Sequence, residues 1–430
     1  MSKQITVLSE LRHFLLLWLT QLISGLGSAM TSYALVIWSY TQEGSALMTA
    51  LLMVCSYAPY VLCSIFAGAI SDRWDKKKIM LWCDLFAAIG TLSVLILLKT
   101  DRLELWHLYL INAFSGLMNT VQQPASEVAA TALLPKKYYQ KAGGLTYLSS
   151  SVQSILTPIL ATAILGLGGI DWLFAIDLFS FVFAAGILLL WIPIPKIQQK
   201  DNSGETFSQT IRTGISYLRQ ETGILHLMLF LAAINLVASM YNAAFPARML
   251  SLPNRGELSM GIVNTVAGLT TLLGSLVATA MKPPKRPILT IWLCLFLSMS
   301  TENFFLAFGS TIPLWSIGTF LGWIAIPWMN ANLNATLRSH IPPEIQGRVY
   351  AARNSLQFFT IPVGYLLGGW LVDQIFEPLL TAQADTTLLA RLFGNLPGSG
   401  SACFFAVIGV LGVLVCLVFR FDKSIWRLEK

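Results

Sequence analysis

Apolar runs of about 20 residues follow one another along this chain with only short polar turns between them. As a helix, each is long enough to cross a hydrocarbon core about 30 Å thick. Lipid offers backbone amides no water to bond, so a spanning segment must satisfy them internally, and a single run of this kind does so as a helix. The charge content agrees. Only 11% of residues are charged and 55% are hydrophobic, where soluble domains carry roughly 25% charged residues. The fold class expected is an all-α polytopic membrane protein with twelve transmembrane helices. The runs lie at 13–40, 46–70, 79–98, 104–124, 142–166, 171–192, 222–248, 258–281, 287–308, 312–336, 349–371 and 401–420.

The organisation is that of two pseudo-symmetric six-helix halves, 1–192 and 222–430, joined by a polar linker at 193–221 that contains Lys-Asp-Asn-Ser-Gly-Glu. The halves resemble each other at an offset of about 205 residues: Ala130–Thr131 falls opposite Ala335–Thr336, and Pro158 opposite Pro362, inside the helix that follows. An even number of spans puts both termini on one side. If that side is the one holding the basic turn at 72–78, it collects 23 of the 28 lysines and arginines, so both termini are expected in the cytoplasm. The net charge of +7 then reports topology rather than nucleic-acid binding. The first apolar run is too long for a signal peptide. The six cysteines lie in or beside apolar spans without metal-ligand spacing, and no metal or other cofactor is expected. No phosphate-binding Gly-x-x-x-x-Gly-Lys-Ser/Thr motif and no catalytic constellation occurs, so the chain reads as a non-enzyme that does not draw on ATP. A long outer loop is expected at 373–400, with a short amphipathic helix or a plain tether within it.

At Gly68–Lys78 the sequence resembles the signature between the second and third spans of the major facilitator superfamily. Gly68, Asp72 and Arg73 match Gly-x-x-x-Asp-Arg-x-Gly-Arg-Arg/Lys, whereas Asp75 stands at the usual glycine and Lys76–Lys77 replace the arginine pair. Arg73–Met80 with Asp84, Gln123–Glu127, Leu133–Lys136, Ile176–Asp177, Gly347–Val349 and Gly368–Gly369 with Asp373 are similar to the branch that contains enterobactin exporters and macrolide-efflux proteins. The likeness implies a secondary active transporter, working by alternating access in a bacterial inner membrane. Its partners would be the bilayer, a small-molecule substrate and protons, and a monomer is expected. Hydrophobic or peptide-like substrates of drug, macrolide or siderophore type are the cargo implied, with export the direction. A nutrient importer, or a membrane sensor or enzyme reusing the fold, is the alternative. The chain departs from the drug–proton antiporter pattern: Asn112, not arginine, precedes Gly116, and Gln153, Thr157, Ala161 and Thr162 stand at usual glycine or proline-flanking sites of span 5.

The resemblance implies a cytoplasmic conformational latch at Gly68, Asp72 and Arg73, joined by Asp84 and by Arg348 and Arg353. A plain topology anchor is the simpler account of the same charges. Glu302, about 15 residues into its span with no neutralising neighbour in sequence, is a candidate proton carrier, or else a carboxylate that reaches water at an interface. Asp177 is a second candidate, with an interface position as its alternative. Polar and aromatic interruptions at Gln21, Asn112, Asn119, Asn235, Tyr241, Asn242, Trp323, Trp328 and Asn330 are candidates for a substrate cavity. Amides bond uncharged ligands and tryptophan stacks on rings or cations. Interhelical hydrogen bonding is the competing use of each.

Overall fold

The computed structural model describes residues 2–134, 139–195, 216–253, 255–342, 349, 353, 356–384 and 386–429. The side chains of 2–10, 64–73, 139–144, 146–147 and 338 lie outside that description. Every described element is helical. In chain order they are α1 (Ser2–Glu43), α2 (Ala46–Arg73), α3 (Lys76–Lys99), α4 (Leu105–Ala132), α5 (Tyr139–Gly168), α6 (Ile170–Trp191), α7 (Thr222–Leu250), α8 (Gly256–Ala280) and α9 (Pro287–Phe308). There follow α10 (Ile312–Trp323), α11 (Ile326–His340), α12 (Thr360–Leu371), a π-helical turn at Val372–Phe376, α13 (Glu377–Thr381), α14 (Leu388–Phe393), α15 (Ser399–Arg420) and α16 (Lys423–Trp426).

Eleven stretches among the described residues are long and apolar enough to cross a membrane. The remaining expected span, α4, has 28 residues, about 42 Å of helix. Its Asn112, Asn119, Gln122, Gln123 and Glu127 keep it out of that apolar set. Large apolar side chains stand exposed along α6, with Phe179, Val182, Leu189 and Leu190 all open on its surface. A face of this kind is stable against lipid and not against water. The protein is a multi-pass membrane protein.

Three local outcomes differ from the sequence expectation. The fourth span was expected to end at 124, yet α4 runs through Pro124 to Ala132. The tenth span is broken: α10 ends at Trp323, and α11 starts at Ile326 with Pro327 in its first turn. Proline has no N–H to give the preceding turn and favours a helix start. The eleventh span passes Asp373 through the π turn and α13, so helix persists to Thr381 and the outer loop is shorter than expected. The short helix expected within the loop forms at Leu388–Phe393.

The structure divides into two compact units, Met1–Trp38 with Cys55–Asn202, and Ser39–Val54 with Ser203–Lys430. In the first, Leu17, Ile79, Met80, Cys83, Ala125, Ala129, Leu188 and Ile192 form a buried cluster joining α1, α3, α4 and α6. The basic turn acts locally here. Asp75, where the superfamily pattern has glycine, caps α3 by accepting the Lys78 amide at 3.2 Å. Lys77 donates to Leu189 O at 3.1 Å and Ile192 O at 2.9 Å, meeting the negative end of α6. In the second unit α7 packs on α12 and α15, and α9 lies between α10 and α15. Trp315, Phe230, Phe404 and Phe405 are its largest fully buried side chains.

Glycines set the closest approaches. A Cβ on Gly116 of α4 would lie 2.1 Å from Ser56 O of α2, so only glycine admits that crossing. Gly116→Val is expected to destabilise the protein by about 1–3 kcal/mol, the range of overpacked cores. Thermal unfolding in detergent, with Gly90→Ala as the milder comparison, reads it out.

Candidate functional site

Among the described residues three carboxylates are buried, and each accepts from neutral donors. Asp177 of α6 is 1% exposed. It accepts from Ser28 of α1 at 3.2 Å and Thr91 of α3 at 3.1 Å. Gly27 makes room for it, since a Cβ there would lie 3.0 Å from Asp177 Oδ1. The group ties three helices of the first unit together. Asp84 of α3 is 4% exposed and accepts from Gln122 of α4 at 2.6 Å. Its second oxygen has no hydrogen-bond partner among the described residues.

Glu302 of α9 does not reach the surface, being 6% exposed. Two residues singled out from the sequence meet it: Tyr241 of α7 donates its hydroxyl to Glu302 Oε1 at 2.7 Å, and Trp323 of α10 donates Nε1 to the same oxygen at 2.9 Å. Tyr241 is itself fixed by aromatic packing, stacked on Phe245 at 5.6 Å and edge-on to Phe405 at 5.4 Å. On the other side, Gly322 lets α10 close on the carboxylate, because a Cβ there would sit 2.8 Å from Glu302 Oε2. Asn303 beside it is buried. Trp323 is also the last residue of α10, so the donor to Glu302 sits at the break in the tenth span. Among the described residues none of the three carboxylates takes part in an ion pair.

The expected latch is only partly in view. Gly68, Asp72 and Arg73 fall in the last turns of α2, but their side chains lie outside the described residues, as does all of Arg348. Arg353 is described and donates to Gln357 Oε1 at 3.0 Å.

The expected cavity residues other than Tyr241 and Trp323 divide into three groups. Asn112 donates to Leu108 O of its own helix at 2.9 Å, and Asn235 to Gln357 O at 3.1 Å. Gln21 and Trp328 are half-buried. Asn119, Asn242 and Asn330 are exposed within membrane-length helices. Exposed amides on such helices fit a water-filled path better than a lipid contact.

Sequence reasoning singled out neither Gln122, the partner of Asp84, nor Arg248. Arg248 is held within unit 2, donating to Leu306 O at 3.3 Å, Gly309 O at 3.0 Å and Gly398 O at 3.4 Å, with its guanidinium over Trp315 at 5.4 Å. It covers the carbonyl end of α9. His226 meets Asp422 at 2.6 Å below α15. Burial pushes the Asp422 carboxyl up, but the Ser424 amide and His226 more than offset it and hold it below the usual carboxylate range.

A model of the Major Facilitator Superfamily matches residues 17–365. The chain belongs to the Major Facilitator Superfamily. The motif at Gly68–Lys78 thus identified the family correctly, and the chain is a small-molecule transporter, not an enzyme. Macrolide efflux protein A of Streptococcus pyogenes is 23% identical over 364 residues, covering 84% of this chain and 90% of the relative. Enterobactin exporter EntS of Shigella boydii is 23% identical over 367 residues, covering 82% and 79%. Among solved structures the nucleoside transporter NupG superposes with a TM-score of 0.67 at 13% identity, covering 96% of this chain and 100% of that one. That likeness concerns the fold alone.

Removing a donor from a buried carboxylate costs about 1–3 kcal/mol, whereas removing the charge as well relieves it. Tyr241→Phe is therefore expected to lower stability by about that amount, and Tyr241→Phe combined with Glu302→Gln by less. Unfolding midpoints of the two single variants and the double variant in detergent measure the coupling.

Proposed function

We propose that this chain is a twelve-span exporter of hydrophobic or peptide-like small molecules, built as two six-helix halves and driven by protons through alternating access. Both termini face the cytoplasm of a bacterial cell, and the protein acts as a monomer. The observation that carries the proton-driven reading is Glu302: a buried carboxylate that accepts from the neutral donors Tyr241 and Trp323, and takes part in no ion pair among the described residues, can exchange a proton without first breaking one. Its donor Trp323 ends a half-helix, and discontinuous helices are where transporters commonly bind substrate and coupling ion. A proton arriving at Glu302 removes its need for two donors, which frees Trp323 and the α10–α11 break to adjust. Asp177 is the second candidate carrier, in the first unit.

The exporter reading draws support from the two efflux relatives, and its cargo from the kinds of side chain that interrupt the apolar spans: the exposed amides Asn119, Asn242 and Asn330, and the aromatic residues Tyr241, Trp323 and Trp328. Uncharged hydrogen-bonding groups among aromatic rings suit a bulky amphiphile. Gly68, Asp72 and Arg73 are the residues proposed for the cytoplasmic latch, with Asp84, Arg348 and Arg353 as further members.

Uptake of a fluorescent amphiphile into inverted vesicles tests this directly. Dissipating the pH gradient is expected to abolish uptake in the native protein. Glu302→Gln is expected to leave a slow uptake that no longer depends on pH. Unchanged pH dependence in Glu302→Gln removes the group from coupling. Asp72→Asn is expected to lower uptake by about tenfold or more at equal membrane abundance, a bias of about 1.4 kcal/mol between the two conformations.

A further inference from the structure

Residues Ser39–Val54, the tip at which α1 turns into α2, pack with the second unit, while the rest of both helices belongs to the first. Both helices run on without a break from this tip into the rest of their length. Four seats hold it. Tyr40 hydroxyl bonds Ser251 Oγ at 2.8 Å and Ala247 O at 3.2 Å, at the end of α7. Asp373 takes the start of α2: Oδ1 accepts the Ala46 amide at 2.9 Å, and Oδ2 accepts Ser45 Oγ at 2.5 Å and the Leu47 amide at 2.9 Å. Leu47 lies on Gly369, where a Cβ would fall 2.6 Å from Leu47 Cα. Ala50 packs among Ala243, Tyr365, Met53, Val54 and Ile361.

We propose that Asp373 and Gly369 form a clasp that seats the α1–α2 tip on the second unit, and that its release is a gating step of transport at the end of the bundle away from the basic turn. Two independent features point to it. The first is chemical. The opening amides of a helix have no partner within it and carry its positive end. A carboxylate from a different helix satisfies two of them here and uses both of its oxygens to do so. The π turn Val372–Phe376 begins at the residue before Asp373, and such wide turns often occur at functional positions. At a helix end, water can replace the carboxylate once the tip lifts, so the contact can break and remake repeatedly.

The second is steric. Gly364 and Gly368 of α12 pack on α7, with a Cβ falling 2.6 Å from Leu236 O and 2.8 Å from Met240 Cα, which is the unit's own packing. Gly369 serves the tip instead. Adding a methyl group there disturbs the clasp and leaves every hydrogen-bonding group in place. Gly369 and Asp373 are positioning residues; neither is assigned to touch substrate.

The gating role rests on the transporter reading, whereas the clasp itself is measured without substrate. In the full chain with its six native cysteines replaced, Ala50→Cys places a thiol in the buried seat. Labelling by a membrane-impermeant maleimide is followed in vesicles of both orientations. Asp373→Asn and Gly369→Ala are each expected to raise the labelling rate about tenfold from one side only, with Asp373→Glu closer to the native rate. Amphiphile transport measured alongside is expected to change in kcat more than in KM. Should Asp373→Asn fail to insert, Gly369→Ala carries the same comparison. Native labelling rates in both variants overturn the clasp. Raised labelling in a protein that moves no amphiphile under any gradient upholds the clasp and counts against the transporter reading.

Discussion

The hydrocarbon core offers a polar group no water, so each one must find its partner inside the protein. Much of this structure follows from that constraint. The backbone answers by forming helices along almost the whole described chain. Side chains answer one at a time: Asp177 gathers hydroxyls from two other helices, Asp84 takes an amide from α4, and Glu302 takes a phenol and an indole. An ionised group in such a place is expensive unless paired. Neutral donors leave the charge itself uncompensated, which separates these three sites from the lysine–aspartate pair at the surface between Lys99 and Asp171.

Helix ends are where the same constraint is met by charge. Lys77 covers the carbonyl end of α6, Arg248 that of α9, and Asp75 caps the amide end of α3. Asp373 does so for α2, Glu377 accepts the Gly398 amide at 2.6 Å before α15, and Glu429 accepts the Leu289 amide of α9 at 2.8 Å. A charge on a helix end is stabilising by about 0.3–1 kcal/mol when exposed and by up to about 2 kcal/mol when partly buried. That range is large enough to hold an arrangement and small enough to be released. A transporter that cycles between conformations needs contacts of this strength at its ends and rigid apolar packing between them, as in the Leu17–Ile192 cluster.

Breaks in helical regularity lie close to the chemistry. Pro327 interrupts the tenth span just beyond Trp323, the donor to Glu302. The π turn at Val372–Phe376 sets Asp373 and Glu377 toward the starts of two different helices. Pro124, by contrast, lies within α4 without ending it. A proline therefore does not by itself mark a functional break.

The amino-acid sequence by itself determined the membrane class, the approximate limits of the spans and the family, because apolar length and a local motif such as Gly68–Arg73 are properties of neighbouring residues. It also marked Glu302, Tyr241 and Trp323 as unusual in apolar runs. Only the tertiary structure decided that these three meet, since they come from α7, α9 and α10 and no sequence spacing relates them. The same holds for Gln122 with Asp84 and for Arg248 with the end of α9. Asp373 shows the difference most clearly. In the sequence it is one residue of a family likeness, an aspartate after an apolar run with no partner indicated. In the fold its two oxygens lie on Ser45, Ala46 and Leu47, more than 300 residues away along the chain, because packing, not chain distance, brought that carboxylate to the open amides of α2.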